Sequence, residues 1–277
     1  MRSPVLLSPP VLLWSGCVLV NCARAPALWT VDGSPARTRD GGCSHFYSPR
    51  HLTADGHIPV AVNYDSHPEM QELRLCTTRV DGTEKHLSFS DNMFGRINGF
   101  NEHGLGVTSS QGSPLSKVRT AVLAYNAVSR ILLGRCRTVH EALDSLETLP
   151  IAWYSNYLLA DFSGAAAQVE IACDKIAVRR FAAHEASRLR ATNHYTLPGM
   201  AEYQSIRMRQ SVWSWRTLSA LLAEADSPID PGNALERPYP ERLRFSHYLD
   251  GLGTIHSMVI DLDDLTADVC FGGGQRA

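Results

Sequence analysis

Arg39-Asp40-Gly41-Gly42-Cys43-Ser44-His45-Phe46 divides this chain in two. Residues 1–42 read poorly as a domain, and residues 43–277 read well as one. The Gly41-Gly42 pair lets the backbone bend freely just before a cysteine, as a processing point requires. Cleavage of the Gly42–Cys43 bond would leave a thiol nucleophile and a free α-amino base on one residue, and a neighbouring base activates a weak nucleophile. The competing reading packs Cys43 as a small hydrophobe.

Composition sets the outer bounds. A length of 277 residues accommodates one large domain or two small ones. An apolar content of 44% with 19% charged residues is that of a globular protein. The net charge of −2 gives no steering towards nucleic acid or an anionic membrane. No apolar run reaches the roughly 18–20 residues that span a bilayer. The cysteines at 17, 22, 43, 76, 136, 173 and 270 are odd in number and form no C-x-x-C pair. That argues against a disulfide framework or a zinc site of usual spacing.

The leader has several readings. Arg2, the apolar residues from Val5 onward and Ala23-Arg24-Ala25 fit a signal peptide. Pro4, Pro9, Pro10 and Pro26 fit it badly, and a pro-segment or a misassigned start is an equal alternative. Residues 26–42 have linker composition. These features favour the cytoplasm over secretion.

Downstream, Ser44 to Tyr47 and Ile58 to Tyr64 read as a hairpin, as do Leu73 to Val80 and His86 to Ser90 around Asp81-Gly82. Asn98 to Gln111 reads as a glycine-rich turn feeding one buried strand, Leu105 to Ser109. The period then becomes helical over 115–134, and Thr138-Val139-His140-Glu141 is a capping box for a helix ending before Pro150. A meander follows: Tyr157 to Asp161, Ala166 to Ala172 and Ile176 to Phe181. A strand from Arg190 to Tyr195, a helix over 202–225, a loop from Pro228 to Pro240 and a closing hairpin, Ile255 to Leu262 with Thr266 to Phe271, complete the chain. No repeat occurs. Hairpin groups separated by helices predict an α+β domain, two stacked antiparallel sheets between helix layers.

Four segments carry a resemblance. Gly42-Cys43-Ser44 with Val62-Asn63-Tyr64-Asp65, Asn101-Glu102-His103-Gly104-Leu105-Gly106, Asp161-Phe162-Ser163-Gly164 with Val169-Glu170 and Ala191-Thr192-Asn193-His194-Tyr195, and the ending Gly253 to Leu262 occur in that order. Together they resemble the N-terminal-nucleophile (Ntn) hydrolases, specifically the isopenicillin N acyltransferase branch, related to choloylglycine hydrolase and penicillin V acylase. The resemblance implies an αββα sandwich over 43–277 and an enzyme acting on linear amide carbon–nitrogen bonds or forming them by acyl transfer. It implies Cys43 as nucleophile, Asp65 as acceptor for the α-ammonium and Asn193 as oxyanion donor. Gln111 would be a second donor, and Arg207, or Arg209 in the alternative register, a guanidinium near the thiol. It implies a small acyl amide or acyl thioester as substrate and no cofactor or metal. Nucleic acid and membrane are not expected partners, and homo-oligomerisation stays open.

One position departs from the resemblance: Val62 stands where most relatives carry Arg. Either substrate preference differs, another cation substitutes, or activity is weak. Two alternatives stay open: a bile-salt or penicillin V type hydrolase, and a degenerate Ntn fold that binds without catalysis, with Val62 as the sign of decay. Taken singly, Asp65 and Asn193 also fit turn or strand-end residues, Gln111 a loop residue, and Arg207 and Arg209 a solvated helix face. Histidines 45, 51, 57 and 67 near Asp55 and Asp65 invite a metal reading, but no helical H-x-x-x-H spacing supports it.

Overall fold

A computed structural model describes residues 43–66, 73–90, 94–113, 123–151, 154–172, 175–182, 184–185, 187–205, 207–223 and 253–271, with residues 231, 235 and 243 singly. The leader, the Gly42 side of the Gly42–Cys43 bond, residues 114–122, His67 and most of the Pro228 to Pro240 loop lie outside the described residues. The helix expected over 115–134 begins only at Tyr125, because Leu123 bridges Ile151 and Ala124 is an extended N-cap.

The first hairpin is β1 (Ser44–Tyr47) and β2 (Pro59–Ser66), antiparallel with Ser44 opposite Asn63. β2 is buried on both faces because its side chains alternate between two apolar layers. Val60, Val62 and Tyr64 enter the layer between the sheets, and Ala61 enters the layer beneath a helix. Next come β3 (Arg74–Thr78), β4 (His86–Ser90), β5 (Ile97–Asn101) and β6 (Gly106–Gln111).

β5 is a strand where the sequence reads as a turn. Its Asn98-Gly99 dipeptide marks a bulge: the register shifts at Ser88/Phe89 and Asn98 takes a φ of 43°. A Cβ on Gly99 would meet the Leu87 carbonyl at 2.2 Å, so glycine is required by close backbone approach. The β5–β6 turn is fixed by Asn101. Its Oδ1 accepts from the N–H of His103 and of Leu105, each at 3.1 Å. Its Nδ2 donates to the Leu133 and Cys136 carbonyls at 3.0 and 2.7 Å.

α1 (Tyr125–Arg135) and α2 (Val139–Thr148) follow. Thr138 caps α2 by accepting from the Glu141 N–H, and Glu141 accepts from the Arg137 N–H rather than from Thr138 itself. The meander is β7 (Tyr154–Ala160), β8 (Ala166–Ala172) and β9 (Lys175–Phe181). β10 is only Leu189–Ala191 and pairs with β1. The chain then leaves the sheet, because Glu170 takes hydrogen bonds from Thr196 N, Thr196 Oγ1, Leu197 N and Gln168 Nε2 at 2.7–3.0 Å. α3 is described over Arg209–Ala223 and starts later than the expected 202, because Ala201–Tyr203 is a separate 3-10 turn. β11 (Gly253–Asp261) and β12 (Thr266–Phe271) close the chain.

The strands form two antiparallel sheets, β10-β1-β2-β11-β12 and β3-β4-β5-β6-β7-β8-β9. α1 and α2 cover the outer face of the larger sheet through Val128, Leu132, Leu143 and Leu146 against Val107, Tyr157 and Leu159. α3 covers the smaller sheet through Leu218 and Leu222 on Phe46 and Ala61. The order is helix–sheet–sheet–helix, as expected. No described helix is long and apolar enough to cross a membrane.

Candidate active site

Cys43 directly precedes β1, so the pairing of Ser44 with Asn63 sets it beside the end of β2. Its thiol is buried and donates to the Asp65 carbonyl at 3.7 Å. Burial, and secondarily the negative charge of Asp65, push the thiol pKa up to about 12. Hydrogen bonds, one of them from the Asn193 side chain, act in the opposite direction. In this setting the thiol holds its proton at neutral pH and needs a base to become a nucleophile.

Asp65 is buried at the end of β2, and its Oδ1 accepts from Thr254 Oγ1 of β11 at 2.6 Å. Asn193, in the loop that Glu170 anchors, donates from Nδ2 to the Gln111 carbonyl at 2.8 Å. An amide nitrogen carries two protons. One is held by Gln111, and the Asn193 side chain also acts on the Cys43 thiol by hydrogen bonding. The Asn193 main chain is held as well, its N–H donating to Ser211 Oγ of α3 at 2.9 Å. The same hydroxyl reaches His194 Nδ1 at 2.8 Å and Thr192 Oγ1 at 3.0 Å. Burial, then the nearby charge of Arg207, lowers the His194 pKa to about 4, so the ring is neutral at pH 7.

The structure therefore brings Cys43, Asp65 and Asn193 together with the main chain of Gln111. The Gln111 side chain is exposed at the end of β6. Arg207 is exposed and acts on His194, while the described side chains acting on the Cys43 thiol are Asp65 and Asn193. Arg209 is exposed in the first turn of α3. Val62 is fully buried in the apolar layer between the sheets. Thr254, Ser211 and His194 support the site without having been singled out in the sequence. Thr254 and His194 lie inside quoted motifs, but Ser211 reads only as a helix residue.

The histidines diverge. His45 lies between the sheets, with Nδ1 2.8 Å from Thr108 Oγ1 and Nε2 3.2 Å from Ser110 Oγ. Ser110 Oγ donates to the Thr192 carbonyl at 2.8 Å and Thr108 Oγ1 to the Leu158 carbonyl at 3.4 Å. His57 pairs with Asp261 at 2.7 Å and lies near Asp263, and His51 is exposed. The oxygens of Asp263 are already engaged by Arg50 and by the Ile58 N–H. A second acidic group, Glu84 with Glu102 and His103, is engaged by Arg137 and Lys85.

A family model described as acyl-coenzyme A:6-aminopenicillanic acid acyl-transferase matches residues 52–276, starting downstream of Cys43. Among solved structures, the chain is similar to the Caenorhabditis elegans N-acylethanolamine-hydrolyzing acid amidase ortholog. That match has 14% identity and a TM-score of 0.54, covering 80% of this chain and 93% of that one. It is also similar to a mutant of the conjugated bile acid hydrolase from Clostridium perfringens, at 12% identity and a TM-score of 0.51, covering 83% of this chain and 89% of that one. At these identities the likeness establishes the fold, that of the Ntn hydrolases. No curated protein sequence matches.

Proposed function

The chain belongs to the acyl-coenzyme A:6-aminopenicillanic acid acyl-transferase family, and from that premise we propose that it is a cysteine amidohydrolase or acyltransferase. It would act on linear amides or acyl thioesters after cleaving itself between Gly42 and Cys43. The observation that carries this reading is the convergence of a buried thiol, a buried carboxylate and a buried primary amide at Cys43, Asp65 and Asn193.

In the precursor the Cys43 sulfur attacks the Gly42 carbonyl. The acyl group moves from nitrogen to sulfur, the nitrogen takes the thiol proton, and water hydrolyses the thioester. The α-amino group so freed has a reference pKa of about 7.7–8.0, which suits it to take the thiol proton near neutral pH. This supplies the base for substrate turnover in the cleaved chain; the earlier attack on Gly42 proceeds without it, from a thiol raised to about 12. The Asp65 carboxylate accepts hydrogen bonds from the resulting ammonium, and Thr254 keeps that carboxylate in place. Thiolate attack on a substrate carbonyl puts charge on its oxygen, and Asn193 Nδ2 donates to that oxyanion. One preorganised donor of this kind lowers a barrier by about 3–4 kcal/mol. Gln111 is the proposed second donor, and Arg207 the proposed guanidinium at the mouth of the site. The ammonium returns its proton to the leaving amine, and water or an acceptor amine resolves acyl-Cys43.

Buried Val62 favours a second reading, a degenerate fold that binds acyl amides without turning them over. Intact mass and N-terminal sequence of wild type beside Cys43→Ala separate the two. A wild type that begins at Cys43, with an uncut Cys43→Ala protein, is the expected result. An intact bond before residue 43 in both would remove the α-amino base and overturn the catalytic reading.

A further inference from the structure

A second site lies away from Cys43. A cavity of about 430 Å³ opens between β8, β9, β10 and α3, and neither Cys43, Asp65, Gln111 nor Asn193 lines it. Its walls carry Arg179, Arg190 and Trp215 beside apolar Leu189, Leu197 and Pro198. The Arg190 guanidinium lies over the Trp215 ring, 4.5 Å from its centroid, and Arg179 lies over Phe181 at the same distance. Stacking satisfies the face of a guanidinium and leaves its in-plane N–H donors unmet. Arg190 Nε is buried with no hydrogen-bond partner among the described residues. Neither Arg179 nor Arg190 forms an ion pair with a described carboxylate.

The two cations face one cavity without a counter-charge. Burial, then repulsion by Arg179, lowers the Arg190 pKa. Glu170 is linked to the same wall through Gln168, but four protein donors already engage it. A third arginine of the lining, Arg188, is committed to Ser48 Oγ and to the Leu52 and Leu222 carbonyls. Arg190 is partly buried beside the exposed Arg179, an anion joining the two would offset their repulsion, and planar guanidiniums match the oxygens of carboxylate and phosphate. The volume lies within the range of small-molecule sites.

We propose that this cavity binds a small organic anion, its carboxylate or phosphate head held by Arg179 and Arg190 and its apolar body resting on Leu189, Leu197, Pro198 and Trp215. The proposal does not depend on Cys43 being a nucleophile, so cleaved and uncleaved protein bind alike. Trp215 also stands edge-on to His194, with centroids 6.3 Å apart, so the cavity wall, through Trp215, meets the ring that shares Ser211 with Asn193.

Calorimetric titration of the full chain with octanoate, octyl phosphate and inorganic phosphate tests it. Saturable binding of at least one octyl probe is expected, with inorganic phosphate at least roughly tenfold weaker because it lacks the body. The tighter of the two octyl probes identifies the head. Arg190→Gln and Arg179→Gln should each weaken binding roughly tenfold or more. Arg179 is exposed on β9, so its variant stays informative if Arg190→Gln fails to fold. No saturable binding of any probe at about millimolar concentration, or binding unchanged by Arg179→Gln, would overturn the proposal.

Discussion

Thr254 Oγ1 donates to Asp65 Oδ1 at 2.6 Å, joining β11 to the candidate carboxylate across 189 residues of sequence. The Asp65 side chain is buried at this contact, so its place relative to Cys43 depends on a strand from the far end of the chain. A hydrogen bond to a charged group contributes about 1.5–3 kcal/mol. Thr254→Val should therefore slow both self-cleavage and turnover roughly tenfold or more, and Thr254→Ser should restore most of both. A time course of precursor loss on gels reads the effect, and a Val variant that cleaves at the wild-type rate would remove Thr254 from the site.

Ser211 holds the Asn193 main chain from α3. Ser211→Ala leaves a buried N–H without its acceptor, at a cost of about 1–3 kcal/mol. Because the displaced group is the proposed oxyanion donor, the loss should fall on kcat and leave KM nearly unchanged. Rescue of kcat by Ser211→Thr would separate positioning from a general loss of stability, which thermal melting measures alongside.

Cysteine reactivity should follow cleavage. In the uncleaved chain, Cys43 is buried with its thiol pushed up to about 12 and Cys136 is buried with its thiol pushed up to about 11. Both should alkylate slowly at pH 8, whereas exposed Cys270 should react fast. In the cleaved chain Cys43 should become the fastest thiol near neutral pH. Peptide mapping after brief iodoacetamide treatment of the two separated forms checks this order.

Acid should destabilise the fold through its buried histidines. Burial lowers the pKa of His45 and of His256 to about 3. Below about pH 6.5 the unfolded chain binds protons at these residues and the folded chain does not, so stability falls as pH drops from about 6.5 towards 3. His45→Gln should flatten that dependence by up to about 1.4 kcal/mol per pH unit. Urea melts of both proteins between pH 4 and pH 7 measure the two slopes, and equal slopes would refute the assignment.

Glu170 anchors the loop that bears Asn193 with four accepted hydrogen bonds. Glu170→Ala leaves the buried Leu197 N–H without its acceptor, at a cost of about 1–3 kcal/mol, while the donors of exposed Thr196 turn to water and Gln168 Nε2 keeps Thr196 Oγ1. Hydrogen exchange should rise first at Thr196 and Leu197. Unchanged protection there would show that the loop is held by other contacts.

Much of this architecture follows from local chemistry. Alternation along Pro59–Ser66, the Thr138 cap, the Asn101 turn and the helical period in Arg209–Ala223 are properties of neighbouring residues, and side-chain direction repeats with the backbone. The Cys43, Asp65, Asn101 and Asn193 segments were legible in another way, through the family resemblance that they carry together and in order. The bulge at Asn98 was not, because Asn-Gly has the same local preference in a turn and in a bulged strand. Through-space partners were beyond reach of pattern. A register shift between Thr254 and His256 accompanies the placement of Thr254 on Asp65, and packing of α3 on the small sheet delivers Ser211 to Asn193. The raised Cys43 thiol and the paired charges of Arg179 and Arg190 likewise arise only when the sheets stack. Desolvation and charge proximity depend on which surfaces meet, and strands distant in sequence supply those surfaces.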